Sequence, residues 1–383
     1  MRFPGFTDEW KSFKLSECCS FYSGGTPASG KSEYYGGDIP FIRSGEIHSC
    51  NTELSITETG LKSSSAKMVS KGDLLLAMYG ATSGEIDISK IDGAINQAIL
   101  CIHTKQNRYF LKSLWTKHTA RLLNTYLQGG QGNLSAEIIR NIKFYFPSIL
   151  EQEKISKLII IIDERIATQN KIIDNLQSLI KGLIQHLVHI GLEKRTWQKV
   201  ILSEVLHERN ELNREHYPVH SVSVSVGIVN QVEYLGRSFA AKDTAHYHLV
   251  KYGDIVYTKS PTGNQPYGII KQSFCQNPVA VSPLYGVYEP ISFEIGNILH
   301  YYFLNPLNTN NYLLPLIQKG AKNTINITNH RFLENSIPLP ISNDEIISVS
   351  KTLSLLNSKI ELENYTLDSL LMQRRYLLNK LFI

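Results

Sequence analysis

Eight residues, Gly25-Thr26-Pro27-Ala28-Ser29-Gly30-Lys31-Ser32, match position for position the loop that cradles phosphate in nucleotide hydrolases. Ile159-Ile160-Ile161-Ile162-Asp163-Glu164 imitates the strand that holds magnesium beside such a loop. That chemistry needs a strand before the loop and a helix that starts at the Lys-Ser pair. Backbone N–H groups and the helix N-terminus then face the phosphate. Glu33-Tyr34-Tyr35-Gly36-Gly37-Asp38-Ile39-Pro40 follows instead, and two glycines and a proline oppose a helix there. The pattern argues against a nucleotide site.

Other catalytic signatures are missing. There is no Gly-x-Gly-x-x-Gly, His-Glu-x-x-His or Gly-x-Ser-x-Gly, and no Asn-Pro-Pro-Tyr-type run of the kind that holds a flipped adenine. His246 and His248 are expected on one strand face, but no third ligand accompanies them. The five cysteines, two of them adjacent at Cys18-Cys19, form neither a disulfide framework nor metal-ligand spacing. No metal site is expected.

What remains is recognition chemistry. The amide ends of Gln97, Gln128, Gln131, Asn133, Asn264, Gln265 and Asn323 can pair with adenine edges. Lys31, Arg43, Arg237, Lys242, Lys259 and Lys322 can meet guanine edges or phosphate. Ser44 adds a hydroxyl, and Tyr79 and Tyr267 could stack or pack. Several of these fall in the polar, glycine-rich stretches Gly129–Asn133 and Gly263–Pro266, which read as loops.

Two long periodic stretches must position these loops. From Glu151 to His189, Ile155, Ile159, Ile162, Ile166, Ile173, Leu176, Ile180, Leu183 and Leu187 recur at steps of four and three, with Gln169 the polar entry. The stretch lacks proline and predicts an amphipathic helix of ~60 Å with a coiled-coil-like seam. A shift of 194 residues lays Ile166 on Ile360, Asn170 on Asn364, Asp174 on Asp368 and Leu183 on Leu377. The second seam runs through Val349, Leu353, Leu356, Ile360, Leu367, Leu370 and Leu377, with Glu363 and Arg374 as its polar members. Two such rods can lie side by side and bury each other's stripes.

The repeat reaches past the helices. Trp10 with Leu15-Ser16-Glu17 opens the first block, and Trp197 with Leu202-Ser203-Glu204 opens the third. Gly72-Asp73 has a counterpart in Gly253-Asp254, and Asn133-Leu134-Ser135 in Asn326-Ile327-Thr328. Four segments follow: 1–150, 151–190, 191–340 and 341–383, one module used twice. The globular segments read as mixed α/β, with strands at Ile39–Ile42, Asp73–Met78 and Val219–Val232 and a helix at Tyr109–Leu127.

The chain has 383 residues, 42% apolar and 19% charged, ordinary for a folded soluble protein. No signal peptide or bilayer-spanning run is apparent, and a cytoplasmic setting is expected. Net charge is +5, carried by the two globular segments at +3 and +2, with the helical ones neutral. That suits weak attraction to phosphate without establishing it.

Taken as a set, these residues resemble the specificity subunit of type I restriction-modification systems. The resemblance rests on Trp10, Gly24-Gly25-Thr26-Pro27, Tyr35–Pro40, Ser44-Gly45-Glu46-Ile47, Gly72-Asp73 and Gly80-Ala81-Thr82. It continues through Asn96-Gln97-Ala98, Gln131-Gly132-Asn133-Leu134, Pro147, Glu151-Gln152, Ile155 and Asp163. It covers the whole length, more weakly in the second half, where Asn343-Asp344-Glu345 stands in place of the Glu151-Gln152 pattern. The resemblance implies two target-recognition domains, each reading half of an interrupted duplex DNA sequence. They would alternate with two helices that pack as an antiparallel coiled-coil-like spacer, in a pseudo-twofold repeat. Two methyltransferase subunits using S-adenosylmethionine would dock on the helices, and restriction subunits using ATP and magnesium would join them. This chain itself would be non-catalytic and without a cofactor. A repeat-built protein scaffold with no DNA role, and a P-loop hydrolase, are the competing readings.

Overall fold

The structure is a computed structural model, and it describes residues 2–126, 134–237, 243–259, 262–319 and 325–382. The chain divides into two compact units, Met1–Gln169 with Thr366–Ile383 and Asn170–Tyr365. The division falls within each of the two long helical stretches, at Gln169/Asn170 and Tyr365/Thr366.

The first unit opens with strand β1 (Lys11–Lys14), which pairs antiparallel with the closing strand β10 (Lys143–Phe146). A short helix α1 (Leu15–Cys18) leads into β2 (Cys19–Ser23). Then come β3 (Tyr35–Ile42), β4 (Leu54–Ile56), helix α2 (Glu58–Lys62) and β5 (Lys67–Val69). The strands β6 (Leu74–Ala77), β7 (Ile86–Ile88), β8 (Gly93–Ile95) and β9 (Ile99–Thr104) complete two four-stranded sheets, ordered β2-β9-β6-β7 and β4-β3-β8-β5. Leu74 and Leu76 face a core shared with Phe110, Leu114 and Trp115 of helix α3 (Arg108–Tyr126). Leu75, Ala77, Ile99 and Cys101 face Ile42, Val69 and Ile95 of the second sheet. With both faces covered, β6 is apolar throughout instead of alternating. Helix α4 (Ala136–Asn141), capped by Ser135 Oγ accepting from Ile138 N–H at 3.1 Å, precedes β10.

Helix α5 runs unbroken over Ile149–Glu193, two residues before and four after the predicted stretch. The Glu151-Gln152 motif fastens its start. Glu151 takes a two-pronged bond from Arg2, at 2.8 and 3.1 Å. Gln152, fully buried, accepts from Asn107 N–H at 3.0 Å and donates to Pro147 O and Gln106 Oε1. Ser156 donates to Asn107 Oδ1 at 2.9 Å, so the helix is tied to the turn that begins α3.

The second unit has the same framing. Strand β11 (Trp197–Ile201) opens it, followed by β12 (Leu206–Glu208). The predicted strand Val219–Val232 is a hairpin, β13 (His220–Ser223) and β14 (Gly227–Asn230), running into helix α6 (Gln231–Leu235). Gly227, at φ +91°, makes the reversal that the Val/Ser pattern concealed. Next come β15 (His248–Val250), β16 (Ile255–Thr258), β17 (Ile269–Gln272), β18 (Val279–Val281) and β19 (Gly286–Pro290). The sheet β12-β19-β16-β17 repeats the neighbour order of β2-β9-β6-β7. Helix α7 (Phe293–Phe303) packs against β17 and β19, α8 (Pro306–Leu313) packs against α7, and the short pair β20 (Gln318–Lys319) and β21 (Ile325–Asn326) precedes helix α9 (Asn329–Phe332). The last strand, β22 (Ser336–Pro340), pairs with β11. Phe332 of α9 stacks on Tyr257 and Tyr288, with ring centres 4.7 Å apart in each case.

Helix α10 spans Asn343–Leu381. Glu345 accepts from Trp197 Nε1–H at 2.7 Å. It lies 194 residues after Glu151, so the second half keeps the glutamate of the motif and loses only the glutamine. Asn297 of α7 donates to Ser350 and Ser354 on α10.

The seams point inward. Ile155, Ile159, Ile162, Ile173, Ile180, Val349, Leu353, Ile360 and Leu370 are buried, and Ile166, Leu176, Leu183, Leu356, Leu367 and Leu377 are half-buried. Toward each helix end the buried position slips by one residue, from Leu183 to Ile184 and from Leu377 to Leu378. A straight helix drifts about 20° per heptad, so four heptads add about 80°, close to one residue's turn of about 100°. Within the first unit, Leu378, Leu381 and Phe382 enter the core with Ile155 and Ile159, and Arg374 Nε meets Asp163 Oδ1 at 2.5 Å.

Candidate nucleic-acid interface

One end of the first unit collects several of the sequence-predicted residues. Asn96 N–H donates to Ile42 O at 3.4 Å, which sets the Asn96-Gln97-Ala98 turn beside Arg43 and Ser44. Met78 N–H donates to Ala98 O at 2.8 Å, which brings Tyr79 to the same turn. Leu134 N–H donates to Met78 O at 3.0 Å, which sets Leu134 beside Met78 as well. Thr26 Oγ1 donates to Gln97 Oε1 at 2.6 Å and closes the cluster from the Gly24-Gly25-Thr26-Pro27 side. Gln128, Gln131 and Asn133 themselves lie outside the described residues, as do Lys242, Lys322 and Asn323.

These residues differ in availability. Gln97 and Lys31 are exposed. Lys31 Nζ donates to Tyr34 Oη at 3.0 Å and sits 5.0 Å from the centre of that ring. Arg43 is engaged within the unit, by Glu46 at 3.1 Å and by Glu53, which ties it to its own loop. Tyr79 is half-buried against the core. Ser44 begins a short turn, Ser44–Glu46.

The phosphate-loop match is accidental in geometry as well as in sequence. Ser32–Tyr34 is a single three-residue turn that passes directly into β3. A Cβ on Gly24 would run into the backbone of Ile95, and one on Gly25 would meet Ser65 at 2.6 Å. The glycines allow two segments to touch and leave no cradle for a phosphate. Ile159–Glu164 is helical, part of α5.

In the second unit, Gly263-Asn264-Gln265-Pro266 forms a tight turn, with Gln265 N–H donating to Thr262 O at 2.9 Å. Asn264 is exposed, but Gln265 is buried, and its Oε1 lacks a partner among the described residues. Tyr267 contributes its carbonyl to Tyr257 Oη–H at 2.8 Å. Lys259 is half-buried, and burial lowers its ammonium from the ordinary lysine range. Arg237 is exposed, just past α6. His246 is in the turn before β15, not on the strand with His248, because Tyr247 N–H bonds back to Thr244 O at 3.0 Å.

Two charged networks carry no motif and were missed. His48 bridges Asp87 at 2.7 Å and Glu85 at 3.0 Å, while Lys112 holds Asp87 at 2.6 Å. Burial works against the Asp87 carboxylate, yet His48 and Lys112 keep its carboxyl well below the usual range. Arg209 is buried between Asp254, Glu211 and Glu289. Among the described residues, no helix is long and apolar enough to cross a membrane.

The sheets, the framing strands and the long helices describe a class, mixed α/β units built on long helices. Residues 7–178 match the family model of the type I restriction modification DNA specificity domain. The chain is 23% identical over 206 residues to the type I restriction enzyme MjaVIII specificity subunit of Methanocaldococcus jannaschii, covering 52% of this chain and 46% of that one. It is 26% identical over 174 residues to the MjaIX specificity subunit of the same organism, covering 43% and 40%. The chain therefore spans about half the length of the curated relatives it matches. A crystal structure of a type I restriction-modification S subunit from M. genitalium has the same fold, with TM-score 0.58, 14% identity, and coverage of 100% of this chain and 99% of that one.

Proposed function

We propose that this chain is the DNA-specificity subunit of a type I restriction-modification complex, reading a two-part duplex target and performing no bond chemistry itself. The observation that carries the reading is the family match over residues 7–178, the part of the chain whose Thr26, Gln97, Tyr79 and Arg43-Ser44 segments converge at one end. Loops so gathered can offer amide, hydroxyl and cationic ends to base edges and phosphates. The fold that residues 191–340 repeat, with the same sheet order and framing pair, supports a second reader for the other half-target. The matched seams of α5 and α10 support an antiparallel, coiled-coil-like spacer in a pseudo-twofold repeat. Its helices also offer the docking surface for two methyltransferase subunits and, through them, restriction subunits. Adenine methylation with S-adenosylmethionine, and ATP- and magnesium-driven cutting, then belong to those partners. A cytoplasmic setting follows from such partners.

Single-molecule methylation mapping in the native host tests this reading. A methylated, interrupted sequence is expected, and exchanging residues 1–149 for another module should change one half of it only. Loss of the chain without any change in the methylome would sink the proposal. Salt-dependent binding to mixed duplex DNA, alone and with a methyltransferase, separates it from a scaffold without a DNA role.

A further inference from the structure

We propose that Asp73, Cys101 and His103 bind a single zinc-type transition-metal cation. One ligand atom from each, a carboxylate oxygen, the thiol sulfur and an imidazole nitrogen, lies within 4.8 Å of the other two. Cys101 Sγ and His103 Nε2 are 3.8 Å apart. The sheet creates this meeting. Cys101 and His103 are two residues apart on β9, so they share a face. Asp73 directly precedes β6, whose Leu74 pairs with Ile102, which sets Asp73 across from His103.

The surroundings hold the ligands in place. Tyr22, the register partner of Cys101, stacks on the His103 ring with centres 5.5 Å apart and planes 25° from parallel. Its hydroxyl donates to Met68 O at 3.0 Å. Asp73 Oδ2 accepts from Ser70 N–H at 2.8 Å. Arg108 Nη1 stands 4.0 Å from Asp73 Oδ1 and donates to Gly72 O. Such outer contacts fix ligand orientation.

The second unit shows what the same place holds when it is filled from within. Ile255 pairs with Tyr288 as Leu74 pairs with Ile102, so Asp254, Val287 and Glu289 stand where Asp73, Cys101 and His103 do. Arg209, whose N–H donates to Val287 O at 2.8 Å, takes the place of Tyr22. Its guanidinium binds Asp254 at 2.7 Å and Glu289 at 3.2 Å. That sheet supplies its own cation to its aspartate. The first sheet keeps the aspartate, replaces the arginine by tyrosine, and adds a thiol and an imidazole in place of valine and glutamate. The ligand set is present where the in-sheet arginine is lost and the nearby cation, Arg108 at the start of α3, stands 4.0 Å from the aspartate.

The donors suit zinc. Thiolate, imidazole and carboxylate are its ordinary ligands, and three protein ligands leave a fourth position for water. Burial pushes the Cys101 thiol up to about 11, so the thiol is protonated before binding. On binding, its proton leaves to solvent as the sulfur–metal bond forms, and affinity falls as pH is lowered.

The test uses the full-length chain, stripped with a chelator and titrated with Co²⁺ followed by Zn²⁺. The expected result is a thiolate-to-cobalt charge-transfer band in the near ultraviolet that saturates at a single equivalent and is displaced by zinc. His103→Gln, at an exposed position, should weaken binding by about tenfold or more. Cys101→Ser should remove the band, and His216→Gln, an exposed histidine elsewhere, should leave it intact. As a second readout, Zn²⁺ should raise the thermal midpoint of the unaltered chain but not of His103→Gln. Absence of the band in the unaltered chain, or an unchanged band in His103→Gln, overturns the proposal.

Discussion

Arg209 and Asp254 meet in a two-pronged ion pair, Nε to Oδ2 at 2.7 Å and Nη2 to Oδ1 at 3.0 Å, with side chains 7% and 2% exposed. Removing one partner leaves the other charge buried without compensation. Arg209→Ala should therefore destabilise the second unit by about 3–5 kcal/mol. Replacing both groups by apolar residues, as Arg209→Met with Asp254→Leu, should recover more than half of that loss. Urea unfolding of the single and double variants checks this, and equal losses in the two would refute it.

His48 makes the stability of the first unit depend on pH. Its bond to Asp87 raises the imidazole above its ordinary range, burial opposes the rise, and Glu85 adds to it. The folded state therefore favours the protonated ring. The stabilisation is complete below pH ~6.5 and is lost as pH climbs through the raised value. The side chain is 48% exposed, so the effect should not exceed about 1 kcal/mol and should shrink with salt. Unfolding midpoints taken from mildly acidic to mildly alkaline pH should fall in the unaltered chain and stay flatter in His48→Gln. Identical slopes would count against the bridge.

Gly24, just before the apparent phosphate loop, and Gly30, within it, should behave oppositely. A Cβ at Gly24 collides with the Ile95 backbone, while one at Gly30 meets nothing within 4 Å. Gly24→Ala should cost more than about 2 kcal/mol, and Gly30→Ala less than about 0.5 kcal/mol. Neither Gly30→Ala nor Lys31→Ala should change ATP turnover from background. ATP turnover that Lys31→Ala abolishes would restore the nucleotide reading.

The length of α5 should set the gap between half-targets if the proposed function holds. Deleting the seven residues 170–176 shortens the helix by ~10 Å, about three base pairs of DNA. The gap should shrink, or binding should collapse, with each half-sequence unchanged. Methylome sequencing of the deletion strain decides, and an altered half-sequence with the original gap would contradict the ruler role.

Much of the frame is legible in the sequence alone. The steps of four and three from Ile155 onward required α5, and the 194-residue shift required α10. Glycine and proline around Tyr35–Pro40 correctly denied the helix a phosphate loop needs. Val219–Val232 forms a hairpin and not one strand, because a run of valine and serine suits one long strand or two short ones, and Gly227 decides between them only through its φ. Among the candidate contacts, Gln97 was found outside and Gln265 inside. Composition alone could not separate them, since both are amides in turns.

What the sequence determined by itself is local. A period of 3.6 or 3.5 residues buries one helical stripe whatever lies opposite, and a repeated spacing signals a repeated frame. Only the tertiary structure decided that Asp73 meets Cys101 and His103, that Arg209 reaches Asp254, and that Thr26 touches Gln97. Each of those meetings depends on strand register and sheet order between segments distant in the chain. A slip of one residue in the register of β9 would turn Cys101 and His103 to the other face.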